Sequence, residues 1–160
     1  AEGKNIAFTS LWDNYPDSLT IPLTGKASHA YLLLAGSTNH MQCHIANGVI
    51  RVHYADGTSE VLELINPDNW CPIEQDFYVD GIAFCLQTPR PYRLHFKSGL
   101  VSNNLEKDLN ITGVYGRPID GGAGVLLDML LDPHKELKSL TLETLSNDVV
   151  IGIMGITLQK

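Results

Sequence analysis

The chain has 160 residues, of which 44% are hydrophobic and 18% charged, and its net charge is −7 at pH 7. This length suits one domain with a core large enough to be stable without disulfides or metals. The acidic balance argues against nucleic acid as a partner, because the 11 Lys and Arg residues form no basic stripe. No apolar run approaches the roughly 18 residues of a membrane span, so we expect no membrane partner.

Both ends of the chain look cut. It begins at Ala1 without an initiator Met and stops at Lys160, directly after an apolar segment. The explanations are removal of a signal peptide, excision of a domain from a larger protein, or both, and we expect residues 1–160 to be a single excised domain.

Turn residues divide the chain into about nine or ten short apolar strands, the spacing expected of an all-β sandwich. In chain order, the predicted strands are Leu19–Leu23, Ser28–Ala35, Met41–Ala46, Val49–Tyr54, Thr58–Ile65, Ile82–Gln87, Tyr92–Lys97, Val125–Leu131, Leu137–Leu145 and Val149–Leu158. The best helix candidate is Ser102–Leu109, two turns at most, with Ser102 as its cap. The predicted fold is an all-β, two-sheet antiparallel β-sandwich.

Two successive hairpins are predicted between residues 41 and 65. Asn47-Gly48 is a strong two-residue turn signal, and a type I′ turn there would place Ile45 opposite Ile50.

The second hairpin turns at Ala55–Gly57. A three-residue loop with Gly57 in the left-handed conformation pairs Ile50 with Leu62, whereas a two-residue loop would pair Ile50 with Glu63. We expect the first register, since a slip by one residue would send the apolar set to solvent.

Signals for catalysis, cofactors and metals are weak. The histidines follow no metal-ligand pattern, and no nucleophile elbow or Cys-His pair is present. Three cysteines, Cys43, Cys71 and Cys85, have no zinc spacing, and we interpret them as buried small apolar residues. A structural calcium ion at Asp13, Asn14 and Asp17 stays open as an alternative without a supporting spacing. A glycosidase using Glu74 together with Asp76 or Asp80 is also open, because such enzymes need two carboxyl groups.

Two loops combine aromatic rings with amides and carboxylates, as sugar-binding sites do. The first precedes the strand at Leu19, and the second follows the strand that ends at Ile65. The candidate ligand-binding residues are Trp12, Asn14, Tyr15, Trp70, Glu74, Gln75, Asp76 and Tyr78. The alternative is that both tryptophans close the ends of the sandwich.

The first loop and several of the predicted strands resemble galactose-binding-domain-like jelly rolls, which accompany large bacterial glycoside hydrolases. The resemblance is carried by Trp12–Leu23, Ala30–Gly36, Val49–Leu64, Leu131–Leu142 and Asn147–Ile153, and it covers most of the chain except Ser98–Gly124. It implies a jelly-roll fold, a secreted or periplasmic location and a carbohydrate-active parent protein. It carries over no ligand residues.

We therefore expect a non-catalytic accessory module without a cofactor. Its partner would be a carbohydrate, bound through the loop aromatics, or a neighbouring catalytic domain of the same polypeptide. The alternatives are a purely structural protein-interaction domain and a small glycosidase that uses Glu74.

Overall fold

A computed structural model of the chain describes residues 3, 6–12, 14–38, 42–75, 85–86, 88–111 and 119–160. The elements in chain order are β1 (Ala7–Ser10), β2 (Ser18–Pro22), β3 (His29–Ser37), β4 (Ala46–Tyr54), β5 (Ser59–Ile65), β6 (Tyr92–His95), β7 (Val101–Ser102), α1 (Leu105–Asp108), β8 (Ala123–Leu130), β9 (Leu137–Thr144) and β10 (Val150–Gln159).

These strands form two sheets in which every strand pairs antiparallel to its neighbours. The six-stranded sheet has the order β1-β10-β3-β8-β6-β7, and the four-stranded sheet has the order β2-β9-β4-β5. The prediction of an all-β, two-sheet antiparallel sandwich is confirmed, and the architecture is compatible with a jelly roll.

Alternating residues of the two sheets build the core. The fully buried aliphatic side chains come from both sheets and include Leu32, Leu34, Ile50, Val52, Leu140, Leu142 and Ile151. Burial of one such side chain contributes about 1.5 to 3 kcal/mol. The period-2 pattern of apolar residues is thus the main determinant of which face of each sheet turns inward.

The turn predicted at Asn47-Gly48 was wrong. Strand β4 runs through both residues, with a bulge between Ala46 and Gly48 where it pairs with β5. A methyl group on Gly48 would lie 2.9 Å from the carbonyl oxygen of Glu143. Glycine at this position therefore lets two strands approach closely and does not form a turn. The predicted pairing of Ile45 with Ile50 therefore does not form.

The second hairpin was predicted correctly. Ile50 pairs with Leu62, and the three-residue loop ends at Gly57 with φ 87°. A hydrogen bond of 2.9 Å from the Tyr54 amide to the Thr58 carbonyl closes the loop. The need to bury Ile50 and Leu62 on the same side of the sheet thus predicted the length of this loop.

Several other predicted elements differ in the structure. Residues 42–45 form no strand and make only an isolated bridge between Cys43 and Asn66, while β1 and β7 were not predicted. Most of the predicted strand 82–87 lies outside the described residues. The helix is a single turn capped by Asn104, whose side chain accepts a hydrogen bond from the Lys107 amide, not by Ser102.

The three cysteines do not share one environment. Cys71 is buried as predicted, Cys43 is half-buried and Cys85 is exposed. The interpretation of all three as buried apolar residues was therefore wrong for Cys85.

Candidate functional site

The connection from β1 to β2 is a short loop tied down at both ends. The Ser10 amide donates to the Pro16 carbonyl at 3.0 Å, and the Tyr15 amide donates to the Trp12 carbonyl at 3.0 Å. The Ser10 hydroxyl also donates to the Val149 carbonyl at 2.8 Å, which ties the loop to the segment before β10. The loop thus presents its side chains from a backbone that is held in place.

Three aromatic side chains gather at this loop, and we call Phe8, Trp12 and Tyr15 the aromatic cluster. The ring centroids of Phe8 and Tyr15 are 5.1 Å apart at an interplanar angle of 64°, and those of Trp12 and Tyr15 are 6.4 Å apart at 39°. Trp12 is 51% exposed, Tyr15 40% and Phe8 38%. Large rings exposed together offer a surface on which an apolar or ring-shaped ligand can stack.

Polar groups stand beside the aromatic cluster. Asn14 and Asp17 are exposed, and the Asp17 backbone carbonyl accepts a hydrogen bond of 2.9 Å from the Thr144 amide. The Asn14 amide can donate or accept hydrogen bonds and the Asp17 carboxylate can accept them, and both residues belong to the same loop as Trp12 and Tyr15. Flat rings with adjacent amides and carboxylates are what recognition of sugar hydroxyls requires.

Trp70 has a different environment. Its side chain is 0% exposed, and its indole Nε1 donates to Oδ1 of Asn47 at 3.0 Å. A methyl group on Gly36 would lie 2.7 Å from Cη2 of this ring, so the strand backbone packs directly against it. Stacking of a sugar on Trp70 would need an exposed ring face, and the structure buries this indole in the core.

The residues after Trp70 are engaged within the fold. Gln75 is buried and exchanges side-chain amide hydrogen bonds of 3.3 and 3.4 Å with Asn66. Glu74 is half-buried, and its carbonyl accepts a 2.7 Å hydrogen bond from the Ile119 amide. The predicted ligand residues Asp76 and Tyr78 lie outside the described residues, as does Asp80, so the carboxyl pair needed for a glycosidase is not described.

A buried guanidinium holds this segment. The Nη atoms of Arg93 donate to the carbonyls of Pro72 and Ala123 at 3.1 and 2.9 Å, and also to that of Gln75. Strand β6 thereby fixes the backbone that follows Trp70. The structure therefore brings Trp12, Asn14 and Tyr15 together on the surface and places Trp70 and Gln75 in the interior.

Among the described residues, the exposed aromatic residues Phe8, Tyr31 and Tyr92 were not among the predicted candidates. Phe8 lies on β1, a strand that was not predicted. Tyr31 lies on β3, interpreted only as a buried strand, yet it is exposed, stacks on His29 at 5.7 Å, and donates its hydroxyl to Gln159 at 3.0 Å. The alternation of side chains along β3 could have predicted the exposure of Tyr31, because Tyr31 faces away from the buried Leu32.

Among the described residues, no group of three His, Cys, Asp or Glu side chains could hold a metal ion. Asp13, part of the calcium alternative, lies outside them. His44 lies in a turn with φ 56°, and His53 lies on β4. No helix in the described part of the chain is long and apolar enough to cross a membrane.

Comparison of the chain with protein-family models, with curated proteins and with solved structures finds no match.

Proposed function

We propose that this chain is a non-catalytic carbohydrate-binding module that stacks a sugar on the aromatic cluster. The observation that carries the proposal is the exposure of Trp12, 51%, beside Tyr15 in a loop tied to the sandwich by hydrogen bonds. A rigid aromatic surface loses little conformational entropy on binding, and its flat face matches the C–H-rich face of a sugar ring. Asn14 and Asp17 are the adjacent groups for sugar hydroxyls.

The resemblance to galactose-binding-domain-like jelly rolls supports this proposal, and the two-sheet sandwich is compatible with it. On this basis the module belongs to a carbohydrate-active parent protein in the periplasm or outside the cell. Fold alone carries no activity, so the assignment rests on the aromatic cluster.

A second candidate is packing of the same surface on a neighbouring catalytic domain, as an interaction module. Leu145 and Ile45 are exposed large apolar residues, and a hydrogen bond of 2.9 Å from the Ser146 hydroxyl to the Ala46 carbonyl brings their chain segments together. The Thr144 amide contacts the Asp17 carbonyl, which places Leu145 beside the β1–β2 loop. Several exposed apolar side chains at one end are typical of a protein contact.

Titration of the protein with galactose, xylose and pectic oligosaccharides tests the proposal through tryptophan fluorescence. A binding glycan should change the emission of the exposed Trp12, and Trp12→Ala should abolish binding measured by calorimetry. Tyr92→Ala is the matched control, because Tyr92 is an exposed aromatic residue on β6, away from the β1–β2 loop. A broad glycan array without any response would overturn the proposal.

The packing candidate has its own test with the neighbouring domain of the parent polypeptide. Trp12→Ala and Leu145→Ser should each weaken association of the two domains, while glycan titration leaves it unchanged. If a glycan is hydrolysed and the activity is lost in Glu74→Gln, the protein is an enzyme and both candidates fail.

A further inference from the structure

A concave surface lies on the outer face of the four-stranded sheet. It is a pocket of about 390 Å³, lined by Thr20, His53, Tyr54, Gly57, Lys138, Ser139 and Thr141. Small-molecule sites have volumes from about 300 Å³ upward, so the pocket has room for a ligand the size of one sugar residue. Thr20 lies three residues after Asp17, so at about 3.3 Å per residue the near edge of the pocket is roughly 10 Å from the β1–β2 loop.

Strand register explains why hydroxyl groups converge in the pocket. Thr20 of β2 pairs with Thr141 of β9, and Ser139 of β9 pairs with His53 of β4. The hydroxyls of Thr20 and Thr141 are 3.1 Å apart, and Nε2 of His53 lies 3.3 Å from the Thr141 hydroxyl. Hydroxyl and imidazole groups can donate or accept, which suits the hydroxyls of a sugar.

A bulge adds a cation to this polar row. The pairing of β4 with β9 shifts between His53, which faces Ser139, and Tyr54, which faces Leu137. Lys138 is the extra residue, and it lines the pocket although the alternation of β9 would otherwise turn it to the inner side. Bulges commonly redirect a side chain in this way beside functional sites.

Cationic side chains border the hydroxyl row of the pocket. Arg51 faces the same side as His53 and pairs with Thr141, so two cationic side chains and one imidazole border the hydroxyl row. Among the described residues, no ion pair engages Lys138, whereas the nearby Asp56 carboxylate is 3.3 Å from Lys135 and bonded to Thr58. Acids also lie near the pocket: Glu143 is two residues along β9 from Thr141, and the charges of Glu60 and Asp132 act on Tyr54. The cation Lys138 lines the pocket itself, whereas none of these three acids does.

We propose that this pocket binds an acidic sugar residue. Lys138 and His53 contact its carboxylate or sulfate ester, and the hydroxyls of Thr20, Ser139 and Thr141 contact its ring hydroxyls. This site goes beyond the aromatic cluster and does not depend on it.

Methyl β-glucuronide, glucose 6-sulfate, methyl β-glucoside and inorganic sulfate are the probes, and amide chemical shifts of the full chain are the measurement. At least one of the two acidic sugars should shift the amides of Ser139 and Thr141 saturably, and comparison of the two shows whether a carboxylate or a sulfate ester is preferred. The neutral glucoside should not shift them. Lys138→Gln should raise the Kd about tenfold, because a charge-assisted hydrogen bond is lost. Lys107→Gln, the same change on α1, should bind like the unmodified chain.

Equal shifts with the glucoside, or an unchanged Kd in Lys138→Gln, would overturn the proposal. Saturation by inorganic sulfate at the same concentration as the sugars would overturn recognition of the sugar ring. Thr141→Val, which preserves strand shape, should also weaken binding, so the result does not depend on one variant. Trp12→Ala should leave the acidic-sugar shifts intact, which separates this site from the aromatic cluster.

Discussion

Trp70 and Asn47 come from different segments of the chain and meet in the core, where indole Nε1 donates a 3.0 Å hydrogen bond to Oδ1 of Asn47. The same Asn47 donates from Nδ2 to the carbonyls of Gln42 and Ile45 at 2.9 and 3.2 Å. The buried side-chain amide of Asn47 thus provides hydrogen-bond partners both for the Trp70 indole and for backbone carbonyls that precede β4.

Asn47→Ala should lower the free energy of unfolding by about 2 to 3 kcal/mol, because it leaves the buried indole N–H and two carbonyls without this partner. Urea denaturation measures the change. Asn103→Ala, at an exposed position, is the control and should stay within about 0.5 kcal/mol of the unmodified chain. A loss below about 1 kcal/mol for Asn47→Ala would contradict this role.

Gly36→Ala should destabilise the protein by about 2 kcal/mol or more, because its methyl group would lie 1.9 Å from the Val150 carbonyl oxygen and 2.7 Å from Cη2 of Trp70. Gly155→Ala is the matched control, since a methyl group there meets no atom within 4 Å. Thermal unfolding of both variants compares the two sites. Equal melting temperatures would show that β3 does not pack against Trp70 as closely as described.

The two tryptophans should differ in their access to a quencher. Trp12 is 51% exposed and Trp70 is 0% exposed, so iodide should quench only the emission of Trp12. Trp12→Phe should remove the quenchable fraction and leave a blue-shifted emission from Trp70. Quenching that persists in Trp12→Phe would place Trp70 in contact with solvent and would reopen its candidacy as a ligand residue.

Arg93→Met should lower the free energy of unfolding by about 3 kcal/mol or more. The variant leaves the buried carbonyls of Pro72, Gln75 and Ala123 without the guanidinium that holds them. Hydrogen exchange should also become faster at the Ile73 amide, which donates to the Gly36 carbonyl. Arg90→Met, in the turn before β6, is the control, and equal stability of the two variants would contradict the anchoring role.

Acidification should release the Asp56 turn. Hydrogen bonds from the Thr58 hydroxyl and amide, with Lys135 nearby, hold the pKa of the Asp56 carboxyl below its ordinary value. A lowered folded pKa stabilises the protein above the unfolded pKa, and this contribution is lost as the pH falls through the folded pKa. Asp56→Asn should therefore lose less stability than the unmodified chain between about pH 5 and about pH 2.

Asp148→Asn is the control for this pH dependence, because Asp148 has φ 57°, a conformation that asparagine also tolerates. Denaturant midpoints across the pH range measure the effect. If Asp56→Asn follows the same acid profile as Asp148→Asn, the Thr58 hydrogen bonds do not stabilise the charged carboxylate.

The sandwich was predictable because its apolar residues alternate, and the Ile50–Leu62 register followed from the need to bury both. Local turn chemistry was misleading at Asn47-Gly48, a dipeptide that favours hairpin turns. In the structure the Asn47 amide is buried, and Gly48 lies at a close contact between strands. Tertiary packing therefore overrode the local signal. Exposure of the two tryptophans could not be read from sequence either, since each lies in a loop rich in polar residues.

The position of β10 bears on the order in which the fold can form. Strand β10 follows all the other described strands along the chain, yet it pairs with β1 on one side and β3 on the other. Until it emerges from synthesis, both of those strands have an edge that lacks its final partner, so the six-stranded sheet cannot assemble in the order of translation. We expect nascent chains that stop before Val150 to depend on chaperones, and completion of β10 to be the step that makes the sandwich protease-resistant.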